Sequence, residues 1–477
     1  MARGLPVWWA LIASWYAVDL FSAEPDWPGF RGPNGSGIGL TSGLPVRFGP
    51  AENLVWRTAL PTGKSSPVLA ADRIFLTGAA ENNLWTLCLD RVSGRILWGR
   101  AIPQPRAEKL HQLNHAAAPT PVTDGVNVYA FFADFGLVAY GADGQERWRK
   151  QLGPFNNLHG MASSPVLVDD RLVLAIDQDE NSYLLAVDKR TGRTLWRSAR
   201  PEAVHGFATP VVFRPDGDAA QLVVPGSYEL TAYSAATGEK LWWVRGLTWQ
   251  VKASAVVEDG VVYATGWAPG ADPGPRQLLP PFADVAREAD ETGTASSPPG
   301  SCLPGGSTPE AGRPSISTAT VFSTRATGAS TAARRASHNV TMAIRPGRVR
   351  GDLTDSHLLW TNDRAVPEVP SPLLWKGVLY TIKDGGILTS FDAGTGRILK
   401  QARMPGAVDK FYASPVLGDD KLYLASESGK VSVVQAGAVW ESLAVNELDE
   451  PCYATPALSG GRLYLRTSAA LYCFARK

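Results

Sequence analysis

The chain has 477 residues, with 46 Lys and Arg against 45 Asp and Glu for a formal charge of +1, so a phosphate-tracking surface is not expected and nucleic acid is set aside as a partner class. Four cysteines leave room for a structural disulfide in an oxidising compartment, and the sequence assigns no pairing among them. The 47 glycines, 36 prolines and 16 tryptophans point to many tight turns between aromatic-rich strands.

Residues 1–23 read as a secretory signal: Met1-Ala2-Arg3 precedes an apolar stretch from Leu5 to Val18, and Ser22-Ala23 stands before the polar start Glu24-Pro25-Asp26. The apolar run is short for a bilayer span, so no stable membrane insertion is expected and the mature chain is placed in the periplasm or outside the cell. Residues 24–52 form a lead-in that contains Trp27-Pro28-Gly29-Phe30-Arg31-Gly32-Pro33-Asn34-Gly35-Ser36-Gly37.

From residue 53 to 477 a short phrase recurs: Ser66-Pro67-Val68, Thr120-Pro121-Val122, Ser164-Pro165-Val166, Thr209-Pro210-Val211, Ser254-Ala255-Val256, Ser371-Pro372-Leu373, Ser414-Pro415-Val416 and Thr455-Pro456-Ala457. The first five anchors are 54, 44, 45 and 45 residues apart and the last three 43 and 41, a blade-length period. Each anchor opens a short apolar strand, then a turn such as Asp124-Gly125 or Asp259-Gly260, a second strand, a third strand, and a closing Asp-x-x-Thr-Gly-x-x-Leu-Trp as in Asp188 to Trp196. The eighth unit has only two further strands before the chain stops, and Leu54-Val55-Trp56 is available to complete it. The expectation is all-β: an eight-bladed β-propeller of four-stranded antiparallel blades, its ring closed by the N-terminal strand pairing with the C-terminal blade.

The unit Ala186-Val187-Asp188-Lys189-Arg190-Thr191-Gly192-Arg193-Thr194-Leu195-Trp196 resembles the pyrroloquinoline-quinone (PQQ) repeat, and Trp27 to Gly37 resembles the opening of exported PQQ-like propeller proteins of environmental bacteria. The resemblance covers roughly residues 27–266 and 343–477. It implies the propeller fold, and two functional classes share it: quinoprotein dehydrogenases, and non-enzymatic propellers such as the lipoprotein of the outer-membrane barrel assembly machinery. The dehydrogenases carry an adjacent Cys-Cys pair, a catalytic Asp and an acidic calcium set. Here Cys88, Cys302, Cys452 and Cys473 are all separated, and no Asp or Glu matches a family motif, so no catalytic, cofactor or metal residue is carried over. Cys88 and Cys473, at equivalent third-strand positions, read as small buried apolar residues. Trp98, Trp148, Trp196, Trp242, Trp360 and Trp440 read as aromatics docked between neighbouring sheets.

The loops entering each innermost strand converge on one mouth of the central channel. They hold the candidate binding residues Lys64, His115, His159, His205, Trp249, Lys252, Lys410, Tyr412 and Tyr453, with His111 and Glu368 nearby. A metal site is not expected, because successive blades diverge.

Residues 267–342 interrupt the fifth blade. From about 291 to 336 the composition is mostly Ala, Gly, Ser, Thr, Pro and Arg, which cannot bury a core and is expected to be disordered. Codons permitted over 290–296 and 322–332, read two bases on, spell EF-hand-like loops, so a frameshift pair is the expectation there; as written, the segment lacks the acidic oxygens of a calcium loop. The reading is of a monomeric, non-enzymatic scaffold, without a cofactor, that binds a protein or small molecule at the channel mouth. The alternative is a periplasmic quinoprotein oxidoreductase holding PQQ with calcium.

Overall fold

In this computed structural model the described residues are 27–215, 217–269, 271 and 337–477; the signal segment 1–23 and the stretch 291–336 lie outside them. These residues form eight sheets in a closed ring of antiparallel meanders. Blade 1 runs outward from the channel through Val68–Ala70, Arg73–Ala80, Asn83–Asp90 and Ile96–Pro103. The innermost strands of blades 2 to 7 are Val122–Thr123, Val166–Val168, Val211–Phe213, Val256–Glu258, Leu373–Trp375 and Val416–Gly418. Blade 8 combines Ala457–Ser459, Arg462–Arg466 and Ala470–Ala475 with Leu54–Ala59, whose Trp56 lies opposite Cys473. The propeller, its blade count and its closure by the N-terminal strand are as the repeat spacing predicts. No helix among the described residues is long and apolar enough to cross a membrane.

The anchor phrase has a physical role beyond marking blades. The backbone N–H of Ser66 donates to Thr120 Oγ1 at 2.9 Å, Thr120 to Ser164 at 2.9 Å, and Ser164 to Thr209 at 3.0 Å. Thr209 to Ser254, Ser254 to Ser371, Ser371 to Ser414 and Ser414 to Thr455 follow, each at 3.0 Å. A belt of hydroxyls therefore links neighbouring blades at the channel wall, where every anchor hydroxyl is buried and an unpaired amide would cost about 1–3 kcal/mol. Proline next to the anchor leaves the innermost edge strand with one backbone donor fewer to satisfy. Ala255 lacks that proline, but Ser254 keeps the hydroxyl and its place in the belt.

The closing motif is equally mechanical. Asp188 Oδ1 accepts the backbone N–H groups of Arg190 and Thr191 and the Thr191 hydroxyl, a local turn that presents Gly192 at φ 71°. A methyl group on Gly192 would lie 2.6 Å from the Trp148 ring of the preceding blade. Trp148 Nε1 then donates to Lys189 O at 2.9 Å. Trp98 repeats this on Gly144 and Ala142 O, Trp196 on Gly238 and Ala235 O, Trp360 on Gly396 and Ala393 O. Trp56 of blade 8 lies against Gly94 of blade 1.

Two tryptophans depart from the expected pattern. By strand register the blade-7 equivalent of Trp98 is Ala444, opposite Val433, whereas Trp440 stands before the strand. In blade 6 Lys400 occupies the tryptophan position, opposite Ser390, and its ammonium reaches forward to Trp440 O at 2.6 Å. The missing aromatic is thus replaced by a charged donor aimed at the next blade. Trp242 is fully buried because Gly351–Asp352 adds a parallel fifth strand outside it, and its indole N–H turns inward to Gln221 Oε1 at 2.8 Å.

The core is a set of slabs between blades. Phe75, Cys88 and Trp98 of blade 1 meet Val128, Val138 and Tyr140 of blade 2; Tyr129 and Trp148 of blade 2 meet Leu172, Leu185 and Val187 of blade 3. Each fully buried side chain of this size contributes about 1.5–3 kcal/mol relative to exposure. Cys88 and Cys473 lie opposite Trp98 and Trp56 at equivalent positions, and both are buried free thiols, as is Cys452. Burial pushes the Cys88 and Cys473 thiols up to about 11.

The lead-in fills the channel on the side of the first-to-second-strand turns. Trp27 O accepts from Leu69, Pro28 O from Thr123, and Asn34 Oδ1 from Val212, so the segment touches blades 1, 2 and 4. Ile38–Gly39 pairs in parallel with Leu417–Gly418 as an inner fifth strand of blade 7. Arg31, completely buried, donates to Pro372 O of blade 6 at 2.6 Å. A cavity of about 100 Å³ remains between this segment and the innermost strands of blades 2 to 4.

Candidate functional site

A four-stranded meander sends two sets of loops to the anchor side of the ring: those entering each innermost strand, and those joining the second and third strands. The repeat anchors mark the first set. The second set adds Asp179, Trp267, Asp384 and Glu427 to the same mouth, a consequence of strand alternation that the repeat pattern already contained.

Two groups of side chains result. Between blades 6 and 1, the ammonium of Lys64 sits 3.7 Å from the centre of the Tyr453 ring and donates to Leu113 O at 2.8 Å. Tyr453 stacks on Tyr412 with centroids 5.7 Å apart, and its hydroxyl donates to Glu427 Oε1 at 3.1 Å. Burial lowers the Lys64 ammonium below its ordinary range, opposed by Glu427. Burial raises the Tyr412 phenol to about 12, with Glu427 and Asp384 adding to it. Lys410 is exposed, and its backbone carbonyl accepts from Glu427 N–H.

Between blades 1 and 5, His111 and His159 meet edge to face at 5.0 Å, and His159 lies 6.1 Å from Phe207. His205 Nδ1 is 2.5 Å from Asp179 Oδ1, and the ring meets Trp249 edge to face at 5.9 Å. Lys252 Nζ donates to Trp267 O at 3.3 Å and lies 5.2 Å from the Trp267 ring. Burial pulls the Lys252 ammonium down to about 8, with Glu368 opposing. His159 is lowered by burial and by His111, His205 and Lys252.

His115 lies within electrostatic reach of Lys64 in the first group. Its Nδ1 accepts the Ala117 N–H at 3.0 Å, and burial together with the charges of Arg466 and Lys64 lowers it to about 4. The loop carrying His205 is held by a buried ion pair: Arg200 Nε and Nη2 donate to Asp177 Oδ1 and Oδ2 at 2.7 and 2.9 Å, and Arg200 Nη1 to Tyr233 Oη at 3.0 Å. The opposite arc of the mouth is acidic. Glu368 and Asp384 are both raised, by burial first and then by neighbouring carboxylates.

The donor set does not fit a calcium-bound quinone. Among the described residues no three His, Cys, Asp or Glu side chains converge as metal ligands. The turn side of the channel is also taken by residues 27–39. No residue is therefore assigned to PQQ or calcium.

Comparison with known proteins agrees with the repeat. The family described as outer membrane protein assembly factor BamB matches residues 51–210 and 180–274. BamB of Alkalilimnicola ehrlichii is 29% identical over 152 residues, 31% of this chain. The matched stretch spans 36% of that relative, about a third of its length. Among solved structures, BamB from Moraxella catarrhalis superposes with a TM-score of 0.55 at 12% identity, over 88% of this chain and 98% of its own. A europium-containing methanol dehydrogenase gives 0.63 at 9% identity, over 95% and 98%. Quinohemoprotein alcohol dehydrogenase from Comamonas testosteroni gives 0.57 at 11% identity, over 95% and 81%. At these identities the structural likeness speaks to the fold, which assembly factors and dehydrogenases share. The repeat phrase, the eight-bladed ring and the matched segments agree: the fold is that of the PQQ-like repeat β-propellers, and residues 51–274 are similar to the BamB family.

Proposed function

We propose that this propeller is an exported, non-enzymatic binding scaffold that engages a protein partner at the anchor-side mouth of its channel and works without a bound quinone. The observation that carries the reading is the unequal loading of the two channel ends. The chain's own residues 27–39 fill one, while the other gathers Lys64, Tyr412, Tyr453, His159, His205, Trp249 and Lys252 on loops held by a rigid ring. Aromatic side chains and buried cations beside an acidic arc suit a polypeptide carrying both charge signs and apolar side chains. The BamB relatives, named for outer membrane protein assembly, support a partner of that kind and a periplasmic location.

A photo-crosslinking residue placed at Tyr412, on the mouth, and at Arg193, exposed on the third-to-fourth-strand turn of the other face, tests this in cells. A discrete protein adduct at position 412 and none at 193 is expected. Equal adducts at both positions, or none at either, would overturn the reading. Titration of the purified chain with PQQ and calcium tests the oxidoreductase alternative. Stoichiometric binding with a gain in thermal stability would favour that alternative and send the work to alcohol and sugar substrates.

A further inference from the structure

We propose that the gap between the lead-in and blade 3 is a peptide site, where an extended segment of a partner polypeptide makes one β-bridge to Leu167 and inserts a small aliphatic side chain. The site lies at the opposite end of the channel from the mouth and does not rest on the scaffold reading.

Strand register decides which backbone groups face the channel. Val168 and Arg171 pair across the two-residue turn Asp169-Asp170, so they exchange both hydrogen bonds, and bonded and non-bonded pairs alternate along an antiparallel ladder. Leu167, opposite Leu172, takes the non-bonded place, and its N–H and C=O point off the blade into the channel. It stands two residues after the anchor proline Pro165, as Leu69, Thr123, Val212 and Leu417 stand two residues after theirs. In those four blades the lead-in occupies the position. Leu69 N–H donates to Trp27 O, Thr123 N–H to Pro28 O, Val212 N–H to Asn34 Oδ1 and Leu417 N–H to Gly37 O, each at 2.8 Å.

Blade 3 is passed over. Between Pro28 on blade 2 and Asn34 on blade 4 the lead-in makes no hydrogen bond to it, and Arg31, midway, sends its guanidinium away to Pro372 O of blade 6. Among the described residues neither the N–H nor the C=O of Leu167 has a partner. The gap is the cavity of about 100 Å³, walled by Phe30, Val122, Val166, Leu167 and Val211. Phe30, Val166 and Leu167 are half-buried, so the cavity opens to the turn face.

An unpaired edge donor and acceptor beside an apolar recess is what an added strand satisfies: main-chain bonds hold the peptide, and a side chain enters the pocket. The chain itself supplies the precedent. Trp27 bridges Leu69 antiparallel, and Ile38–Gly39 pairs in parallel with Leu417–Gly418, at the same edge position of blades 1 and 7. A purely apolar molecule would leave both groups of Leu167 unpaired, which favours a peptide as the occupant. An apolar cavity of about 150 Å³ admits benzene, so this smaller one suits a side chain such as that of valine.

The test titrates the full chain, carrying isotope-labelled leucine, with the peptide acetyl-Gly-Val-Gly-amide and follows the Leu167 amide by NMR. The peak is assigned by its loss in Leu167→Ile. One bridge with one inserted side chain should give a dissociation constant on the order of 1 mM, so the peak should move and saturate. Val166→Phe, which fills the recess, should weaken binding about tenfold. A Leu167 peak that stays in place up to about 10 mM peptide, or that saturates equally well in Val166→Phe, would overturn the proposal. N-methylacetamide offers the same donor and acceptor without a side chain and should not saturate the peak over that range. If it binds as well as the peptide, the recess takes a lone amide and the peptide reading falls, a comparison made on the parent chain whether or not Val166→Phe folds. Both readouts come from the turn end of the channel, so failure here and failure of partner binding at the mouth are separate outcomes.

Discussion

The backbone N–H of Thr455 donates to the hydroxyl of Ser66 across 3.1 Å, joining residues 389 positions apart and closing the belt of eight anchors into a ring. Both residues are buried, so neither group has water as a substitute. Strand pairing between Leu54–Ala59 and Ala470–Ala475 closes the rim of the same ring. Closure is thus fastened once at the channel and once at the periphery.

Ser66→Ala should lower stability by about 1–3 kcal/mol, because the Thr455 N–H is left buried without an acceptor. Ser66→Thr should keep most of that stability, as threonine serves at three other anchors in the belt. Chemical denaturation of both variants checks this. An alanine variant as stable as the parent would mean that the belt adds nothing beyond strand pairing.

Gly192→Ala should cost about 2 kcal/mol or more, since φ 71° strains any side chain and its methyl would sit 2.6 Å from the Trp148 ring. The strain and the clash separate in a double-mutant cycle with Trp148→Leu. If the clash dominates, the alanine should cost clearly less in the leucine background; equal costs in both would assign the whole effect to the backbone.

Most of the ring could be read from the chain because each feature repeats for one physical reason. The anchor hydroxyl, the Asp-x-x-Thr-Gly turn and the closing tryptophan each solve the same contact between neighbouring blades. Where the solution changes, the pattern misleads: Trp440 looks like a repeat tryptophan but stands outside the strand, while Lys400 fills the vacant position by a charge-dipole contact that periodicity does not encode. The lead-in's path through the channel is a set of single, non-periodic contacts such as Arg31 to Pro372 O, and those leave no repeat to read. At the mouth, the anchor loops were legible from their spacing. Asp179, Trp267, Asp384 and Glu427 were not singled out because they sit on second-to-third-strand loops whose lengths and residues differ from blade to blade.

Acid should destabilise the fold partly through His115. Its folded-state pKa is depressed to about 4 from 6.5, so below pH 6.5 the unfolded chain takes up a proton that the native chain refuses. Stability contributed by the neutral ring is complete above pH 6.5 and is lost as pH falls towards 4, on the order of 3 kcal/mol over that window. His159, depressed in the same direction, adds to the effect. His115→Asn should flatten the acid limb of a stability-versus-pH curve measured by urea denaturation. An unchanged limb would show that His115 protonates in the native state as readily as in the unfolded one.

The loop bearing His205 depends on a charge pair that cannot be halved. Arg200 and Asp177 are about 1% and 4% exposed at the side chain, and Arg200 meets both carboxylate oxygens. Gly206 is packed so closely that a methyl there would lie 2.4 Å from Asp177 Oδ2. Arg200→Met would leave the Asp177 carboxylate buried without its cation and should cost about 3–5 kcal/mol. Asp177→Leu with Arg200→Met removes both charges and should recover much of that loss, leaving Tyr233 Oη without its partner. The double variant should nevertheless loosen the mouth, since the bidentate geometry that seats the 200–210 loop is gone. Hydrogen exchange at His205 to Phe207 should therefore rise in the double variant even where global stability is restored. Stability and exchange that both return to the parent values would mean that packing around Gly206 alone fixes the loop.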